Sequence, residues 1–335
     1  MNIFSILGII IYLLIVIDVI QTTLSMQGAG WLTSRFSHIF WKGFLNLSGK
    51  NGSSKILSHA GYILLIFIVL IWVVSLWSSM VLMLYSNPGA IIESSTKMAA
   101  GFWQVVYYSG FTLSTLGMGD FIPAGDVWRI LTSIYSFTGL ILLTMSVTYF
   151  IPVLSAVIEQ QKLGISLSTL GSTPQEIVLN SWNKKDFKRL IDKIDDISDS
   201  IIKYSQQHRA YPVIHYFHNP KQKNNVVLQL ARLYEAMIII TDKIKKENQP
   251  AAEDIQPLII AFENYFETIS EVTHISLVKE TPPAVSIQIL KKRSMVLEDS
   301  ANIIVADSIK EKRRFFKTLV AQDGWEWDEV DKKSS

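Results

Sequence analysis

The groups best placed to do chemistry in this chain are backbone carbonyls. The stretch Thr115-Leu116-Gly117-Met118-Gly119-Asp120 has glycine at alternate positions. Glycine enters positive φ at no steric cost. Gly117 and Gly119 therefore let the carbonyls of Thr115, Leu116, Gly117 and Met118 point to one side of an extended strand. Repeated around an axis, such a strand builds stacked rings of oxygens that replace the water shell of an ion. The Thr115 hydroxyl adds a ring at the inner end. A Gly-x-Gly alone is more often a plain turn, so the flanking elements decide its meaning.

Those elements are an amphipathic run, Phe102 to Ser114, and a long apolar run, Val127 to Ile158. The chain has 335 residues, no cysteine, 49% hydrophobic and 18% charged residues. Its positive mean hydropathy hides a split. Residues 1–160 carry six basic side chains (Arg35, Lys42, Lys50, Lys55, Lys97, Arg129), and the other 25 of the 31 lie beyond. A membrane half is thus joined to a soluble half. Without cysteine there is neither a disulfide nor a Cys-ligated zinc site. A net charge of +2 gives no reason to expect nucleic acid as a partner.

Residues 1–25 read as a transmembrane helix. The apolar run from Ile3 reaches the length a bilayer requires, and neither a basic n-region nor an Ala-x-Ala cleavage site marks a signal peptide. Asp18 near its end reads as interfacial. Residues 26–56 hold a different object. Over 31–48, Leu32, Phe36, Ile39, Phe40, Phe44 and Leu47 share one helical face, and Arg35, His38 and Lys42 another. That pattern predicts a helix lying in the interface with its basic side chains on anionic headgroups. Residues 57–160 supply two further spans (57–86 and 126–158), with the helix 100–113 and the glycine strand 115–120 between them. By the positive-inside rule the first loop is cytoplasmic. The N-terminus and the glycine strand then lie outside, and the C-terminal half lies inside, at a plasma or inner membrane.

The glycine strand resembles the Thr-Val-Gly-Tyr-Gly-Asp selectivity filter of potassium channels, and the likeness covers roughly residues 60–158. It implies an all-α membrane protein: an extra N-terminal transmembrane helix, a helix–pore-loop–helix domain and a helical cytoplasmic domain. It implies a homotetramer, because one hairpin supplies one of four filter strands. K⁺ is then the transported ion, held by the carbonyls of 115–118 and the Thr115 hydroxyl, with no organic cofactor. By the same resemblance Phe102–Ser114 is the pore helix, Tyr107 hydrogen-bonds Asp120, Tyr108 packs on Met118, and Gly119 and Asp120 support the filter. Gly139 falls where the family places its gating hinge, although a packing glycine is an equal reading. Val147 and Ile151 fall where the family narrows, as an apolar constriction, and Pro152 should kink the inner helix. Met118 departs from the family's aromatic and loses a hydroxyl brace, which puts strict selectivity in question. A weakly selective cation channel is therefore the alternative, with a membrane sensor or scaffold as the alternative from another class.

Residues 161–335 read as helices. Thr173-Pro174-Gln175-Glu176 is a helix start, and Leu190, Ile194, Ile197, Ile201 and Tyr204 form a short a/d seam. Further helices are expected over 222–247, 251–279 and 284–322. His215 and His218, near His208, share a face, but no third metal ligand accompanies them. Trp325 and Trp327 dock either on a partner or on the bundle. No nucleophile–base constellation or Gly-x-Gly-x-x-Gly motif is present, so an enzyme is not expected.

Overall fold

The structure, a computed structural model, describes residues 2–26, 28–273, 276–296 and 306–333. It forms two compact units, Met1–His38 with Ile63–Val153, and Ile39–Tyr62 with Leu154–Ser335. The units divide the chain at 38/39, 62/63 and 153/154, whereas the sequence segments meet at 56/57 and 160/161. Ile39–Tyr62, between the first two spans, groups with the C-terminal helices.

Among the described residues three helices are long and apolar enough to cross a membrane: α1 (Ile3–Leu24), α3 (Leu57–Tyr85) and α5 (Asp126–Ser168). At 1.5 Å per residue even α1 reaches about 33 Å, which matches the hydrocarbon thickness. Polar contacts fasten the three helices where water is absent. Ser79 Oγ donates to Gly8 O at 2.7 Å and lies 2.6 Å from the Tyr135 hydroxyl. Tyr12 and Thr138 pair at 2.9 Å. α5 runs unbroken to Ser168, past the 158 expected, because 159–168 contains no helix breaker beyond Gly164.

The interfacial reading of Asp18 does not hold. Its side chain is buried and accepts from Leu32 N (2.9 Å), Thr33 N (3.2 Å), Thr33 Oγ1 (2.5 Å) and Trp72 Nε1 (3.0 Å). The N-terminus of α2 (Trp31–Leu47) is therefore capped by a carboxylate borrowed from α1. The protein covers Thr33, Ser37 and Trp41 of α2; Ile39 and Leu47 of its apolar face stay exposed, as do Arg35, His38 and Lys42. In the second unit Trp41 packs with Leu57 and Ala60, and its indole donates to Gln322 O at 3.1 Å.

The second unit is helical: α6 (Pro174–Ser181), α7 (Lys188–Ala210), α8 (Val226–Ile238), α9 (Ala252–Thr273), α10 (Gln288–Lys292) and α11 (Asp307–Gln322). Thr173 caps α6 by accepting from Glu176 N at 3.2 Å, as its sequence predicts. The seam of α7 is buried throughout and packs along α9, with Tyr204 stacked on Tyr265. Tyr234, Phe262, Phe266, Phe315 and Phe316 form an aromatic core beside it. Glu235 and Arg313 make a buried bidentate ion pair at 2.6 and 2.7 Å. Burial raises the Glu235 carboxyl above its ordinary value against the pull of Arg313.

Three expected helices come out shorter. The 222–247 helix begins only at Val226, because the Asn225 side chain caps it at Leu228 N, and it ends in a π turn over Ile239–Lys243. The 251–279 helix is described over Ala252–Thr273, and 276–279 are not helical. The 284–322 helix is two pieces. α10 ends before Ser294, which is left-handed at φ 55°, and Val296 then bridges to Ile244. Residues 297–305 of that expected helix lie outside the described residues.

Candidate ion-conduction site

The site is assembled in the first unit by α4 (Phe102–Leu113), which starts at Phe102 rather than at 100 because Gln104 caps the Gly101 N–H at 2.7 Å. α4 is pinned to α3 by the Trp77 indole, which donates to Val106 O at 2.9 Å. The indole lies so close to Gly110 that a Cβ there would come within 3.2 Å of it. At the end of α4 the Thr115 N–H bonds Thr112 O (3.0 Å) and the Leu116 N–H bonds Phe111 O (2.8 Å), which turns the chain out of the helix. The C-terminal end of the α4 dipole then faces the start of the glycine strand and favours a cation there.

The strand has the alternation its glycines imply. Thr115, Gly117 and Gly119 have φ of 59°, 59° and 81°. A left-handed residue at every second position turns successive carbonyls toward one side. Thr115 was not expected to be left-handed. A β-branched residue there costs on the order of 1–3 kcal/mol, strain of the kind stored at functional sites. Nothing lies within 4 Å of a Cβ placed on Gly117 or Gly119, so conformation rather than space demands glycine.

The outer end of the strand is tied down. Ser94 N donates to Asp120 O at 2.7 Å, and β2 (Phe121–Pro123) pairs antiparallel with β1 (Ile91–Glu93). The strand itself is uncovered, with Leu116 65% and Met118 57% exposed.

The supporting tyrosines divide. Tyr107 meets Phe121, the residue after Asp120, edge to face with 6.2 Å between ring centroids. Tyr108 is tied to α5. It is buried, and its hydroxyl bonds Thr132 Oγ1 on α5 at 2.8 Å, because a buried phenol needs a partner and the inner helix supplies one.

Gly139 lies against the backbone of Leu113 at the end of α4, and a Cβ on it would collide with the Leu113 carbonyl. Close approach alone accounts for this glycine. Beneath the strand an apolar cavity of about 460 Å³ is lined by Trp77, Leu113, Thr115, Gly139 and Leu143 among others. Leu140, Leu143, Val147 and Ile151 form an exposed apolar stripe down α5. Pro152 sits inside α5 without ending it. Ahead of it the hydroxyls of Thr144 and Thr148 bond the carbonyls four residues back, at 3.0 and 2.9 Å. Such back-bonds bend helices, and the sequence reading did not use them.

Residues 63–156 match the family described as "Ion channel". Over 313 residues, 93% of this chain and 91% of its relative, the chain is 33% identical to "Uncharacterized membrane protein YdjJ" of Bacillus subtilis (strain 168). Over 112 residues, a third of this chain and 19% of the relative, it is 29% identical to "TWiK family of potassium channels protein 9" of Caenorhabditis elegans. No solved structure matches.

Proposed function

Since this chain belongs to the ion channel family through its two-transmembrane pore region, residues 63–156, and shares a family with YdjJ along nearly its whole length, we propose that it conducts K⁺ selectively and passively as a homotetramer. The observation that carries this reading is the left-handed alternation at Thr115, Gly117 and Gly119 on an uncovered strand. Four copies around an axis close carbonyl rings from Thr115, Leu116, Gly117 and Met118, and partly dehydrated K⁺ passes along them in single file. The N-terminus and the filter mouth lie outside the cell and the C-terminal helices inside, by the bias of basic residues. The exposed Arg35, His38 and Lys42 of α2 meet anionic headgroups. The stripe at Val147 and Ile151 is the constriction that closes by dewetting. Purified protein in planar bilayers under opposed K⁺ and Na⁺ gradients tests this. A reversal potential near the K⁺ equilibrium value is expected, and absence of current, or a reversal that ignores K⁺, would sink it.

One observation favours the weakly selective alternative. Met118 lacks a hydroxyl, and Tyr108 behind it is committed to Thr132, so the strand is less braced at its middle. Met118→Tyr should raise the K⁺/Na⁺ permeability ratio and slow current loss in low K⁺. Equal ratios and equal decay in the two proteins would remove Met118 as the tuning residue.

A further inference from the structure

His218 is buried, and both its ring nitrogens are engaged. Nδ1 lies 2.7 Å from Asp323 Oδ1 and Nε2 lies 2.6 Å from the Gly52 carbonyl. A neutral imidazole offers one donor and one acceptor. A carboxylate and a peptide carbonyl only accept. Satisfying both contacts therefore requires one proton more than neutral histidine and ionised aspartate carry between them. The count is the same whether that proton rests on Nδ1 or on Asp323. The second Asp323 oxygen is already used, since Asn225 Nδ2 donates to it, and Asn225 is in turn held as the cap of α8.

These contacts join two stretches distant in sequence, both in the second unit. Gly52 belongs to the connection leading into α3, and Asp323 ends α11. Around them Gly52 N donates to Gly324 O at 2.6 Å, and Trp41 Nε1 donates to Gln322 O. Trp325 packs so tightly over Gly52 that a Cβ there would come within 2.5 Å of the indole. Trp325 and Trp41 flank the His218 ring at 6.0 and 6.4 Å. The groups facing the cluster are few. Asp323 is the acid. Tyr204 and Tyr265 sense its charge, and burial keeps both neutral well above their ordinary range. Tyr216 lies beside Trp41, pushed up to about 12 by burial. His215 meets Tyr216 and His208, and burial drives the latter well below its ordinary value.

We infer that His218 and Asp323 form a proton-binding site that clamps the 48–56 connection onto the C-terminal end of α11, so that docking of this connection requires one bound proton. Burial opposes a charge on His218, but Asp323 and the Gly52 carbonyl outweigh it and hold its pKa above the ordinary histidine value. The sign follows. A raised pKa in the docked state makes docking strongest below the free value near 6.5 and weakens it as pH rises through the docked value. Between the two values docking falls roughly tenfold per pH unit. The clamped connection continues into α3, and Leu154–Ser335 continues from α5, so under the channel reading above its release also changes opening. The docking itself does not depend on that reading.

Hydrogen–deuterium exchange on the full chain in nanodiscs from pH 6 to 9, corrected for intrinsic exchange rates, tests the clamp without any current measurement. Amides of 48–56 should lose protection between the free and the docked values, by up to about tenfold per pH unit, and level off above the docked value, while those of α9 stay protected. His218→Gln should leave 48–56 weakly protected at every pH. Asp323→Asn should move the midpoint to lower pH. Flat protection of 48–56 in the wild type overturns the proposal, as does a wild-type pH profile in His218→Gln. If His218→Gln also loses α9 protection, Asp323→Asn decides: an unchanged midpoint overturns the clamp, and a lowered one supports it.

Discussion

At the scale of single residues, the candidate site turns on φ rather than on contacts. Gly117 and Gly119 have open space where a Cβ would go, yet both are left-handed. Gly117→Ala or Gly119→Ala should therefore assemble normally and lose conduction. The added Cβ penalises left-handed φ by roughly 1–2 kcal/mol per residue, and the strand escapes by turning its carbonyls away. Near-normal K⁺ flux in an assembled mutant would end the carbonyl-ring mechanism. This part of the site was legible in the sequence because glycine alternation is local and has one conformational meaning. Thr115 was not legible in the same way. Its left-handed φ follows from how the chain leaves α4, where two amides are already committed to Phe111 and Thr112 carbonyls. Asp18 was misread for a related reason. Its four donors come from α2 and α3, and one sequence viewed along a line does not show which helix ends near which acid.

Elements show the same division. The three spans follow from apolar length and the α7 seam from apolar periodicity; the seam is buried where expected, while α5 overruns its expected end and α4 starts two residues late. The 284–322 segment does not, because its break depends on a tertiary bridge from Val296 to Ile244 that no periodicity encodes. Two substitutions read how elements meet. In an ordinary helix interior Gly→Ala gains about 1 kcal/mol. At Gly139 the sign should reverse, because the methyl group meets the Leu113 carbonyl and pushes α5 off α4. Gly139→Ala should lower the melting temperature in detergent and reduce current. A raised melting temperature with altered gating would instead favour a hinge. Asp18→Ala strands the N–H groups of Leu32 and Thr33 and the Trp72 indole. Each buried, unpaired donor costs about 1–3 kcal/mol. The variant should melt well below the wild type, and Asp18→Asn, which keeps an acceptor oxygen, should lie between. Equal melting of all three would mean that the cap of α2 contributes nothing to stability.

At the scale of the whole molecule, a membrane protein exposes apolar side chains both to lipid and to other copies of itself, and a single chain does not say which is which. α1 exposes Ile6, Leu13 and Ile17 just as α5 exposes Leu143, Val147 and Ile151. Water is the discriminating reagent. A pore-facing stripe is reached by aqueous ions when the channel is open, and a lipid-facing stripe is not. The absence of cysteine makes the experiment clean, since an introduced thiol is the only one in the chain. Val147→Cys or Ile151→Cys should place four thiols around the conduction axis of the proposed tetramer, close enough to bind one soft cation jointly. Cd²⁺ applied from the cytoplasmic side should then block current at micromolar concentration, and chelation should restore it. Ile17→Cys on α1, away from the axis of the proposed tetramer, should be indifferent to Cd²⁺. Block at Ile17 with none at Val147 and Ile151 would put the axis on the wrong side of α5 and overturn the tetramer drawn from the glycine strand.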